Sequence, residues 1–178
     1  MPALLGLLCI GLAPGGCQRD GARPITIKIA PPALPEIQPP ARATPTPITA
    51  QEAETVRLIN LERQKHGLGA LAVNPTLTRI AREYSALMGR ENFFSHYDKN
   101  GHDIGDRAKA NDVRYRMLGE NLFKSINAPA PVTLAVEGWM KSEGHRANIL
   151  TPQYTQTGVG IWRSGATYYF TQIFLLPR

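Results

Sequence analysis

Apolar side chains recur at Leu77, Ile80, Ala81, Tyr84 and Met88, the three- and four-residue spacing that lines one face of an α-helix. Asn74-Pro75 stands just upstream and supplies the capping side chain and first-turn proline that start such a helix. The same spacing at Ala53, Val56 and Ile59 predicts an earlier helix. It opens with Thr49 and Glu52 as a capping box and closes near Gly67. Val132, Ala135, Val136, Trp139 and Met140 predict a helix over residues 131–142, with Gly144 ending it, and a short helix is expected over 103–110. Towards the C-terminus the pattern changes. Residues 159–163 and 166–175 are rich in aromatic and β-branched side chains, and Ser164-Gly165 between them suits a tight hairpin turn. With one more strand over 113–118, helices come first and antiparallel strands late, which predicts a layered α+β sandwich occupying residues 49–178. No internal repeat is visible.

The first 48 residues follow neither period. Leu4, Leu5, Leu7, Leu8, Ile10 and Leu12 form an apolar run too short to span a bilayer as a helix but long enough for a signal-peptide core, so residues 1–17 read as an export leader. Gly15-Gly16-Cys17 follows it, where bacterial lipoprotein signals place small residues and then the acylated cysteine. Pro14 stands where such signals usually have Leu, and no basic residues precede the run. Cys17 is thus the candidate lipid-attachment residue, with simple secretion as the alternative. Ten of the 15 prolines fall in the first 50 residues, which excludes regular helix and central strand; residues 18–48 read as an extended tether. In a Gram-negative cell, Gln18 in place of a retention-type Asp implies the outer membrane, by resemblance to lipoprotein sorting signals.

Charge changes the picture little. The net charge of +6 over 178 residues invites a nucleic-acid reading, but from residue 51 onward 16 Lys and Arg face 12 Asp and Glu with signs interspersed. That is a solvated mixed surface, with at most a mild attraction to anionic envelope surfaces, and nucleic acid is not an expected partner. Both cysteines, Cys9 and Cys17, precede the domain, so it holds no disulfide and no thiolate metal site. A monomer is the expectation.

Candidate chemistry is confined to a few positions. Gly67-Leu68-Gly69-Ala70-Leu71-Ala72 imitates a dinucleotide-binding glycine pattern but follows a helix and runs toward Pro75, so it is a helix end and turn. Asp98-Lys99-Asn100-Gly101-His102-Asp103 opens like a calcium loop, but its glycine is out of place and Lys109 stands where a bidentate glutamate is needed, so it too is a turn. Ser95 and Ser142 lack the glycine-flanked elbow of a serine nucleophile. Arg107 and Arg146 are expected to tie loops to carboxylates or backbone, and His66 and His102 to sit on the surface. His96, Glu120 and His145 remain. Glu120 follows a glycine at the end of the expected strand among Met117, Leu118, Leu122 and Phe123, a setting in which a carboxylate needs partners. Neutral imidazoles and a carboxylate suit Zn²⁺ and equally suit acid–base work on water. Spacing alone does not bring them together, and each histidine satisfying a local hydrogen bond is an equally open reading.

An ordered series of motifs goes further. Asn60 and Arg63, Gly67-Leu68 with Leu71, Phe94-Ser95-His96, Gly101, Arg107, Gly119-Glu120-Asn121-Leu122, Trp139-x-x-Ser142-x-Gly144-His145-Arg146-x-Asn148-Ile149-Leu150, Gly158-Val159-Gly160 and Tyr169-x-Thr171-Gln172-x-Phe174 resemble a bacterial CAP (SCP-like) domain. This is the superfamily of cysteine-rich secretory, antigen 5 and pathogenesis-related proteins. The resemblance implies a three-layer α-β-α sandwich with a central antiparallel sheet. It also implies a cavity lined by His96, Glu120, Ser142 and His145, and in some members a divalent cation, Zn²⁺ first among them, held here by His96, Glu120 and His145. Ser142 stands where animal and plant members have a second glutamate, and Glu143 where bacterial members often have proline, so a metal shell completed by water or Ser142 should bind modestly. Three functions follow as alternatives. The first is an envelope or extracellular module binding a lipid, glycan or protein. The second is a hydrolase with His96, Glu120 and His145 as catalytic candidates, with or without metal. The third is a structural polar network.

Overall fold

A computed structural model describes residues 49–178; the expected leader, tether and Cys17 lie outside the described residues. Helix α1 (Ala50–Lys65) opens with the capping box, Thr49 N–H donating to Glu52 and Glu52 N–H to Thr49 Oγ1. Strand β1 (Ala72–Val73) leads into α2 (Pro75–Glu91), whose first two free amides donate to the Asn74 side chain. Then come α3 (Ile104–Ala110), β2 (Tyr115–Ile126), α4 (Pro131–Lys141), α5 (Glu143–Leu150), β3 (Gln156–Ser164) and β4 (Thr167–Pro177).

The strands form one sheet in the order β1-β3-β4-β2, antiparallel except for the short parallel pair β1–β3. Period-two alternation along β4 divides the core. Phe170 and Phe174 pack with Ile59 of α1, Val132, Val136 and Trp139 of α4 and Ile149 of α5. Tyr169, Ile173 and Leu175 point the other way, to α2. The result is the expected three-layer sandwich, with α2 on one face and α1, α4 and α5 on the other.

Two glycines set how close α2 comes. A Cβ on Gly160 would stand 2.0 Å from the Arg82 nitrogen, and one on Gly158 2.3 Å from the Leu77 carbonyl carbon, so only hydrogen at these positions lets helix backbone lie directly on strand backbone. On the opposite face Arg63 is 1% exposed and donates to the carbonyls of Gly69, Ile149, Thr151 and Tyr154. It satisfies acceptors that the end of α5 leaves open.

Three expectations need correction. The strand expected to stop at Leu118 continues to Ile126, because Gly119 through Ile126 pair residue by residue with β4; Glu120 is therefore mid-strand. Gly144 does not end a helix. Helix α4 stops at Lys141 because Ser142 adopts extended backbone (φ −96°, ψ 122°), and α5 starts at once with Gly144 in its first turn. Strand β3 begins at Gln156, since the two glycines needed for the approach of α2 lie inside it.

Candidate functional site

Strand β2 is at the edge of the sheet, and its consecutive residues Glu120 and Asn121 face opposite layers. Leu118 and Leu122 pack on the α2 side, so Glu120 between them points there too, whereas Asn121 points to α5. Each residue organises half of the site.

On the α2 side the Glu120 side chain is 2% exposed. His96 Nδ1 stands 2.8 Å from Oε1, and Arg107 Nη2 donates to Oε2 at 2.5 Å. Arg107 comes from α3, where the Asp103–Asp106 capping box sets the helix start. Its guanidinium lies over the Tyr84 ring at 3.4 Å from the centroid, a cation–π contact that holds the plane. Tyr84 donates its hydroxyl to the Ser95 carbonyl at 2.7 Å and so anchors the segment carrying His96. Burial, opposed by Arg107 and assisted by Glu120, pushes the Tyr84 hydroxyl up to about 12; it remains a donor. An ionised carboxylate only accepts, so His96 Nδ1 carries the hydrogen and Nε2 keeps its lone pair when the ring is neutral. The His96 side chain is 51% exposed.

On the other side Asn121 donates to the His145 carbonyl at 3.1 Å. Asn148, one turn further along α5, donates to Asn121 Oδ1 at 2.9 Å and to the Glu120 carbonyl at 3.3 Å. These bonds clamp α5 to the strand. His145 Nδ1 stands 2.9 Å from Ser142 Oγ; a hydroxyl takes either role, so this ring's tautomer follows whatever meets Nε2. Burial and then the charge of His96 hold the His145 imidazole below the usual histidine range.

His96, Glu120, Ser142 and His145 stand in two directly bonded pairs, His96–Glu120 and Ser142–His145. Among the described residues no three His, Cys, Asp or Glu side chains converge as a metal-holding group. Both Glu120 oxygens are engaged, one by a guanidinium, and neither histidine's Nε2 has a protein partner among the described residues. Arg107 ties a carboxylate as expected, while Arg146 is exposed and its guanidinium makes no such tie among the described residues. His66 and His102 are on the surface, His102 bonded to Asp98 in the turn read from the sequence. Tyr84 read only as core, and Asn121 and Asn148 read only as motif letters. The signal for Asn121 was an amide beside a buried carboxylate, since such polar groups need partners; none marked Asn148.

Comparisons with known proteins bear on the family and the fold. The sequence model of the cysteine-rich secretory protein (CAP) family matches residues 56–174. An uncharacterised protein, YkwD, of Bacillus subtilis (strain 168) is 39% identical over 133 residues, 75% of this chain and 50% of its own length. An extracellular SCP-domain protein of Bacillus anthracis superposes with a TM-score of 0.63 at 29% identity, over 73% of this chain and 44% of that one. An outer surface protein of Borrelia burgdorferi gives 0.66 at 19% identity, over 72% and 93%. NaASP2, whose crystal structure carries Zn²⁺, shares the fold at 14% identity with a TM-score of 0.52, over 71% and 80%. The chain spans about half the length of YkwD and less of the Bacillus anthracis protein.

Proposed function

The chain belongs to the cysteine-rich secretory protein (CAP) family, and from that premise we propose that it is an exported binding module whose His96–His145 pair takes a divalent cation at the edge of the sheet. The observation that carries the reading is the tethering of both rings through Nδ1, to Glu120 and to Ser142. A carboxylate behind one imidazole nitrogen orients the ring and strengthens the other nitrogen as a ligand. Glu120 then supports the site from behind His96. Two nitrogen ligands leave most of a cation's coordination open to water or to an oxygen-rich ligand such as a lipid headgroup, glycan or acidic side chain, so affinity should be modest. Export is supported by the apolar leader and by the extracellular and outer-surface character of the proteins it resembles.

The hydrolytic alternative asks Glu120 to take a proton from water, and both of its oxygens already hold donors. The structural reading accounts for Arg107, Asn121 and Asn148, which clamp layers together, but gives no role to the two unpartnered Nε2 nitrogens.

The test is a Zn²⁺ titration of the full chain followed through the histidine ring protons by NMR. Shifts at His96 and His145 are expected at pH 7.5, with His66 and His102 as internal controls. They should weaken at pH 5.5, where protonation competes. Glu120→Gln should weaken binding about tenfold or more. Saturable binding that leaves both rings unshifted would exclude the pair.

A further inference from the structure

At the end of the sheet where β3 turns into β4, exposed cations surround exposed apolar side chains. We propose that this end is a docking face for an anionic lipid surface.

Cross-strand pairing sets Trp162, Tyr169 and Lys124 in one row on the α2 face. Lys124 Nζ lies 5.3 Å from the Tyr169 ring, and the Arg90 guanidinium 5.8 Å from the Trp162 ring. A Cβ on Gly89 would stand 2.5 Å from Trp162 Cδ1, so the indole rests directly on the end of α2, yet it stays 38% exposed. Ile126, two residues beyond Lys124 on the same face, is 63% exposed. Arg163 leaves the hairpin on the opposite face, over Tyr168 at 5.3 Å.

Charge selects the partner. Neither residues 121–136 nor 144–178 contain an Asp or Glu, so β3, β4 and the loop after β2 bring no acid to this end. Of the acids on the adjoining helices, Glu91 is held by Lys99 at 3.1 Å, Glu54 by Arg57 at 2.7 Å, and Glu52 is 1% exposed and paired with Arg82; Glu137, beside the loop after β2, lies 3.6 Å from Lys141. A soluble polyanion would satisfy the cations alone. A bilayer interface also takes up an indole and an isoleucine bordered by basic side chains.

The position of the chain favours the bilayer as well. The described residues begin at Thr49, which donates to Glu52, and Glu52 in turn accepts from the Ile161 amide at 3.4 Å, next to Trp162. The described residues therefore begin at this same end. The inference does not depend on the imidazole pair, so the two can fail separately.

The probe is built in. Trp139 is 1% exposed and Trp162 38%, and these are the two tryptophans of the chain. The full chain is mixed with vesicles of phosphatidylcholine alone or with phosphatidylglycerol, and tryptophan emission is read with and without brominated lipid. The leader can partition by itself, so the signal that decides is the one at Trp162. Expected are a blue shift and bromine quenching with phosphatidylglycerol only, reversed by salt and absent in Trp162→Phe. The triple variant Arg90→Gln, Lys124→Gln, Arg163→Gln should weaken this response about a hundredfold at low ionic strength, from three basic contacts of ordinary strength. No shift, an equal shift on neutral vesicles, an equal shift with soluble polyphosphate, or a triple variant that responds like the parent would each overturn the proposal.

Discussion

Gly119 lies so close to Tyr154 that a Cβ on the glycine would stand 2.6 Å from the tyrosine hydroxyl, and 3.2 Å from Asn148 Oδ1. The missing side chain lets strand β2 approach α5 closely enough for Asn121 and Asn148 to bond. Gly119→Ala should therefore cost about 1 to 3 kcal/mol in urea denaturation, the usual range for overpacking, and Tyr154→Phe in that background should recover part of it. A Gly119→Ala chain as stable as the parent would show that the strand has room to move.

Arg107 and Glu120 form the buried ion pair of the site, their side chains 13% and 2% exposed. Glu120→Gln leaves a guanidinium facing a neutral amide. Removing one partner of a buried pair costs about 3 kcal/mol or more, whereas Glu120→Gln combined with Arg107→Met should regain much of that loss. A double variant no more stable than the single one would mean that Arg107 is held mainly by Tyr84.

Stability should fall as pH falls through the range just below neutrality. His145 is held below its ordinary value by burial and by His96. The unfolded chain therefore takes up a proton near the reference pKa of about 6.5 while the folded chain still resists. Between those two values the unfolded state binds more protons, so unfolding free energy rises with pH. The contribution is full above about pH 6.5 and is lost on acidification toward the folded value. Denaturation midpoints at pH 7.5 and 5.5 should diverge more for the parent than for His145→Gln; equal divergence would clear His145 of the effect.

Cys17→Ala should move the protein from the detergent-soluble membrane fraction to the soluble exported fraction, because the run before Cys17 resembles a lipoprotein signal. Unchanged partitioning on cell fractionation would remove acylation from the account. If the hairpin face also docks, the variant should retain salt-sensitive membrane association.

The elements were legible where local chemistry is strong. The Thr49–Glu52 capping box, Asn74-Pro75 and the apolar stripe of α2 each act within a few residues, so sequence spacing reports them faithfully. The legibility failed at Ser142 and Gly144. A helix that stops and restarts within one residue keeps its helical periodicity, and the change of direction comes from packing Ile149 and Trp139 into the same core. Strand β2 also ran longer than its own residues suggested, because Gly119-Glu120-Asn121 has poor strand propensity and is held by its register with β4.

By itself the sequence determined the α+β fold class, the family, and the identity of His96, Glu120, Ser142 and His145 as the residues to examine. Only the tertiary structure decided how they divide. Consecutive residues of a strand point to opposite faces, so Glu120 joined His96 and Arg107 while Asn121 joined α5. Because β2 is the edge strand, both halves of the site lie at the rim of the sheet. Strand order and edge position arise from contacts between residues far apart in the chain. No local pattern of apolar and polar positions encodes them.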